Sequence, residues 1–157
     1  MYELSASQCE RRLSQLREIL SVAHQRDPDF GCACSEKARA RRGKLLQRAR
    51  SGNVSGLDDL LEYYRGCINS WARDICPTEA ARSCFMAELA ATLKIRVNEL
   101  TESGFCTELH VAATKVAIAQ HTHVLEWHKK QAETGNESEP AFGPHGHFLP
   151  MRNLRQA

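Results

Sequence analysis

Apolar residues recur along most of this chain at alternating steps of three and four, which places them on one face of an α-helix. Cys9, Leu13, Leu16, Leu20 and Ala23 form the first such seam, a narrow one. Ser7-Gln8-Cys9-Glu10 has the spacing of a capping box at its start, and Asp27-Pro28-Asp29 stops it. A short connector, Phe30-Gly31-Cys32-Ala33-Cys34, leads to a second helix capped by Ser35 and running to about residue 50, with Ala38, Leu45, Leu46 and Ala49 as its apolar side. Gly43 weakens its middle by about 1 kcal/mol relative to Ala. After the turn Ser51-Gly52-Asn53, Leu57, Leu60, Leu61, Tyr64, Ile68, Trp71 and Ile75 give the cleanest amphipathic stripe, one helix from Ser55 to the stop at Pro77.

Thr78 caps a fourth helix with Ala81, Phe85, Leu89, Leu93, Val97 and Leu100 inward, closed by Gly104 as a left-handed C-terminal residue. Thr107 opens a fifth, with Leu109, Ala113, Val116, Val124 and Trp127 on one side and Gly135 at its end. Residues 136 to 157 hold three prolines and two glycines without periodicity and read as a flexible tail. No strand pattern and no internal repeat appears. The expectation is therefore an all-α protein, a five-helix bundle: an N-terminal helix and connector over 1–34, a helical core over 35–134 and a tail over 135–157. The first seam can pack back on the core, the favoured reading, or pair two chains as a short coiled coil, so a monomer and a homodimer are both expected states.

Composition narrows the class. The 157 residues are 42% hydrophobic and 25% charged, the balance of an ordinary globular domain. No run approaches the roughly 18 apolar residues of a membrane span, and the first residues lack the basic and apolar segments of a signal peptide. Seven cysteines, an odd number at irregular spacings, fit free thiols in a reducing cytoplasm better than a disulfide scaffold. With 21 basic and 19 acidic residues the net charge is only +2, so any contact with nucleic acid must come from local clustering.

Such a cluster exists. Lys37, Arg39, Arg41, Arg42, Lys44, Arg48 and Arg50 follow one another with no acid between Lys37 and Arg50. Cations so dense need solvent or an anionic partner, and phosphate contacts would make binding steeply salt-dependent. The bland alternative is a solvated face offset by Asp58, Asp59 and Glu62. A second basic stretch ends the fifth helix, where His121, Trp127, Lys129 and Lys130 combine cations with an aromatic ring that can stack on an unpaired base. Its alternative is equally plain: Trp127 belongs to the core, and the lysines complement the negative end of the helix dipole. The two stretches are expected to form one surface.

Metal and catalytic chemistry find little support. Cys32-Ala33-Cys34 is too tight for a zinc knuckle, His121 and His123 point apart on a helix, and His121 and His128 lie about 10 Å apart along it. His145-Gly146-His147 sits in the tail. No metal or other cofactor is expected. There is no Gly-rich phosphate loop, no His-Glu-x-x-His and no nucleophile elbow. Cys34 precedes a helix start among basic residues, which lowers a thiol pKa, but with no base placed beside it a plain loop cysteine is the better reading.

One long stretch carries a resemblance. Leu45-Leu46-Gln47-Arg48-Ala49-Arg50-Ser51-Gly52-Asn53-Val54-Ser55-Gly56-Leu57-Asp58-Asp59-Leu60-Leu61-Glu62-Tyr63-Tyr64-Arg65 resembles the opening of the core helical domain, region 2, of bacterial sigma factors of the extracytoplasmic-function type. Trp71-Ala72-Arg73 is similar to the end of that family's helix. Phe105-Cys106-Thr107-Glu108-Leu109 with Ala112-Ala113-Thr114-Lys115-Val116-Ala117 is similar to its promoter-reading segment, and Ala87-Glu88 stands near its Gln-Glu pair. The resemblance spans residues 36 to 130. Asn53 stands for the family's Asp, Glu108 for its Trp, Lys115 for its Asn and Ala119 for its Asp. Ala80-Ala81-Arg82-Ser83 replaces its acidic run, and no second domain with a helix-turn-helix follows. The resemblance implies a small bacterial, non-enzymatic transcription regulator with altered contacts, touching RNA polymerase, promoter DNA or both through the two basic stretches and Lys115. A helical protein-binding adaptor or inhibitor with no nucleic-acid role is the competing expectation.

Overall fold

The computed structural model describes residues 4–23, 36–53, 55–101 and 104–134. Six α-helices occupy them: α1 (Ala6–Val22), α2 (Glu36–Arg50), α3 (Ser55–Tyr63), α4 (Arg65–Ile75), α5 (Glu79–Ile95) and α6 (Phe105–Thr134), with a 3₁₀ turn at Val97–Glu99. No strand occurs among the described residues. The all-α expectation holds; the count of five does not. The connector around Cys32 and Cys34, the expected cap Ser35, Gly135 and the tail with His145 and His147 lie outside the described residues.

The sixth helix comes from a break in the cleanest stripe. At Tyr64 (φ −97°, ψ 8°) the backbone leaves the helical region, and its N–H is shared between the carbonyls of Leu60 and Leu61 at 3.3 and 3.2 Å. Ile68 N then donates to Tyr64 O at 3.0 Å and the helix restarts. Tyr64 itself is buried, its ring 5.5 Å from that of Phe105. The apolar spacing stays helical across the break, so periodicity alone could not show it.

Two ends also shift. Ser5, not Ser7, caps α1: its Oγ accepts from Gln8 N at 3.3 Å and its N–H donates to Gln8 Oε1 at 2.8 Å. Ser5-Ala6-Ser7-Gln8 has the same box spacing two residues earlier, and a tertiary bond holds that end, since His128 Nε2 donates to Leu4 O at 2.8 Å. α5 starts as expected, with Thr78 Oγ1 accepting from Ala81 N at 2.9 Å, but stops at Ile95. Arg96 then reaches Glu99 (Nε to Oε2, 3.0 Å) and Glu108 (Nη1 to Oε2, 3.0 Å), tying the turn to the first turn of α6. Gly104 does not close α5. Its N–H donates to Thr101 Oγ1 at 3.0 Å and its carbonyl accepts from Glu108 N, so it opens α6, which begins two residues before Thr107.

The packing has one axis. α6, about 45 Å long at 1.5 Å per residue, lies against α1, α4 and α5, while α2 packs on α3. The main core joins Leu45, Leu46, Leu57, Leu60, Leu61 and Ile68 to Phe85, Leu89, Leu93, Phe105 and Leu109, all buried. α2 and α3 approach so closely that a Cβ on Gly56 would stand 2.5 Å from Ala49 N, and Gly52 at φ +89° makes the turn between them. On α1, Cys9, Leu13, Leu16 and Ala23 are buried and Leu20 half-buried, so the first seam faces its own chain along α6.

Candidate functional site

The basic run is divided by the fold. Lys37 and Arg39 fall in the first turns of α2, in a stretch whose side chains lie outside the described residues. Arg42 is not on the surface. It is 2% exposed, and its Nη1 donates to Cys106 Sγ at 3.1 Å and to Tyr64 Oη at 3.5 Å, joining α2 to the Tyr64 break and the head of α6. A guanidinium can be buried in this way because its fixed fork reaches several acceptors while its stem packs among apolar groups. Arg48 stays half in solvent, pairs with Asp59 (Nη1 to Oδ2, 3.3 Å) and donates from Nη2 to Ser55 Oγ at 3.1 Å. Arg41, Lys44 and Arg50 remain exposed.

The second basic stretch lies elsewhere. Lys115, Lys129 and Lys130 are exposed along α6, and Trp127 is half-buried with its ring edge-on to His128 at 4.9 Å. His121 is fully buried. Its Nδ1 faces the Ala117 carbonyl at 2.8 Å, which can only accept, so Nδ1 carries the proton; Nε2 meets no hydrogen-bond partner among the described residues. Burial lowers the His121 pKa below the ordinary imidazole value, and the positive charge of Arg12 lowers it further against the opposing bond to Ala117. Lys129 stands about 35 Å further along α6 than Cys106, where Arg42 docks. The fold thus brings Arg42 to one end of α6 and Trp127, Lys129 and Lys130 to the other. The expected single surface does not form.

Of the five described cysteines, Cys9, Cys76, Cys84 and Cys106 are buried and Cys67 is exposed, and none is in a disulfide. Burial raises Cys9 and pushes Cys76 up to about 12, with the neighbouring Cys84 adding to the rise, so neither is a thiolate at neutral pH. No group of three or more His, Cys, Asp or Glu gathers among the described residues in a way that could hold a metal ion.

What the sequence reading missed is apolar. A groove of about 540 Å³ runs where α2, α3 and α5 meet, lined by Ala49, Leu57, Ala87, Ala90, Ala91 and Val97. Asp58 and Lys94 stand on its α3 and α5 walls. Neither side chain has an ion-pair or hydrogen-bond partner among the described residues. One turn beyond Ala91 on α5, Ile95 is 86% exposed. The signal was available. Ile95 falls off the inward stripe of Ala81, Phe85, Leu89 and Leu93, and three alanines interrupt the polar side of the same helix.

No protein-family model matches the chain, no curated protein matches its sequence, and no solved structure matches its fold.

Proposed function

We propose that this chain is a small helical adaptor or regulator that acts by binding another protein, and that it works in the cytoplasm, where its thiols stay reduced. The observation that carries this reading is the open apolar groove between α2, α3 and α5 with Ile95 beside it. An apolar trough open to solvent and rimmed by polar residues is the kind of surface on which partners dock, whereas Ile95 alone would mean little. No cofactor is assigned to it. The test is capture with the immobilised chain against its Ala91→Glu variant, which sets a carboxylate in the groove. Capture lost in the variant, with an unchanged melting curve, supports the reading; capture that Ala91→Glu leaves intact overturns it.

A second reading is favoured by Arg41, Lys44 and Arg50, exposed on α2 within the sigma-like stretch. In it the chain is a transcription regulator that meets RNA polymerase or promoter DNA through α2, with Lys115 and the far end of α6 as a separate contact. Replacing Arg41, Lys44 and Arg50 by Ala would weaken DNA binding uniformly across sequences and flatten its salt dependence. RNA polymerase subunits among the captured proteins, lost with those three changes and kept with Ala91→Glu, would put this reading first.

A further inference from the structure

The groove has enough character to describe what fills it. We infer that it receives an amphipathic helix of a partner protein, whose apolar stripe is edged by acidic residues on the side meeting α5 and by basic residues on the side meeting α3. This rests on the protein-binding reading and adds the form and charge pattern of the partner.

The apolar lining calls for an apolar insert, and at about 540 Å³ the trough can hold several aliphatic side chains. Ala87, Ala90, Ala91 and Lys94 follow one another on α5 at steps of three and one and three, so the wall runs parallel to that helix for two turns. A second helix laid along it meets this wall with residues at i, i+3, i+4 and i+7, the anchor pattern of helix-in-groove recognition. An extended strand has nothing to join, since no sheet edge exists among the described residues.

Charge supplies the rest. Lys94 on the α5 side and Asp58 on the α3 side each lack a partner among the described residues, which leaves one ammonium and one carboxylate on different helices of an otherwise apolar lining. A helix with acids on one edge of its stripe and bases on the other satisfies both in one direction and repels both in the reverse. The two charges therefore fix the direction of the incoming helix as well as its composition. A second copy of this chain fits poorly. Its only exposed large hydrophobic residues among the described ones are Tyr63 and Ile95, which do not make a helical stripe.

The test uses three labelled helical peptides that share leucines at steps of three and four. One carries Glu on one edge and Lys on the other, one Glu on both, one Lys on both. Fluorescence anisotropy with the full chain should show the mixed peptide binding about three- to tenfold more tightly than either uniform one. Lys94→Glu makes both walls acidic and should move the preference to the all-Lys peptide; Asp58→Lys should move it to the all-Glu peptide. Ala91→Glu, with an unchanged melting curve, should weaken all three at least about tenfold, because its carboxylate would be buried under the leucines. Equal binding of the three peptides, or a preference that neither wall variant moves, overturns the inference. Dodecanoate binding that Ala91→Glu abolishes, with no peptide bound, overturns it in favour of a small amphiphile. Self-association abolished by Ala91→Glu overturns it in favour of a second copy. Capture of a protein that is lost in Ala91→Glu while no peptide binds would overturn the helical partner alone and leave the protein-binding reading standing.

Discussion

Between Phe105 and Val116, α6 buries Phe105, Leu109, Ala112, Ala113 and Val116 in the main core. Between Gln120 and Val124 the same helix is just as deeply buried, but Gln120, His121 and His123 are among the groups inside. The first half also buries Thr107 and Thr114 but is held mainly by apolar area, whose effect is proportional to what is removed from water. The second half carries polar groups whose burial costs free energy unless each finds a partner. Gln120 finds one in the Ala81 carbonyl, to which its Nε2 donates at 2.9 Å, and so fastens α6 to the start of α5. His121 uses Nδ1 on its own helix and leaves Nε2 bare. One stretch of α6 is therefore held mainly by apolar burial, and the other includes an imidazole nitrogen with no partner among the described residues.

The comparison can be broken from either side. The largest effect belongs to the apolar half: Leu109→Ala should cost about 2–5 kcal/mol in denaturant unfolding, and a loss under about 1 kcal/mol would remove the contrast. Arg42, tied to that same end through Cys106 and Tyr64, comes next. Arg42→Ala should cost about 1–3 kcal/mol, whereas its exposed neighbour Arg41→Ala should stay within about 0.5 kcal/mol; equal losses would mean Arg42 is a surface cation.

The polar half should show itself in pH dependence. The folded-state pKa of His121 is depressed below its ordinary 6.5, so the unfolded chain takes up the proton first as pH falls. Its contribution is fully present above about pH 6.5 and is lost as pH falls through the folded value. His121→Leu should remove that part of the acid sensitivity, whereas Leu109→Ala should keep it. Identical pH profiles for wild type and His121→Leu would sink the assignment. The smallest effect is expected at the exposed tip, where changing Lys129 and Lys130 to Ala should each alter stability by no more than about 0.5 kcal/mol.

Much of the fold could be read from periodicity. The inward residues of α3, α4 and α5 are buried or half-buried where the stripe put them, and Thr78 caps where expected. The candidate site was far less legible. Arg42 falls on the same side of α2 as Leu45, Leu46 and Ala49 and Arg41 does not, so the spacing already turned one inward and left the other in water. What it could not supply is the partner, Cys106 Sγ on α6, that receives a buried guanidinium. The groove was missed because it belongs to three helices at once, so the alanines on the polar side of α5 mark one wall and not the trough that α2 and α3 complete.

The sequence by itself determined that this protein is built of helices and which residues of each face inward, because those properties depend on spacings of three and four along one segment. The tertiary structure decided the rest. It broke the long stripe at Tyr64, made Gly104 a beginning instead of an end and gave the inward Arg42 its partner at the head of α6. Two of those outcomes involve atoms far apart in the chain, Arg42 with Cys106 and the Tyr64 ring with that of Phe105, and no local pattern encodes which distant group will be there.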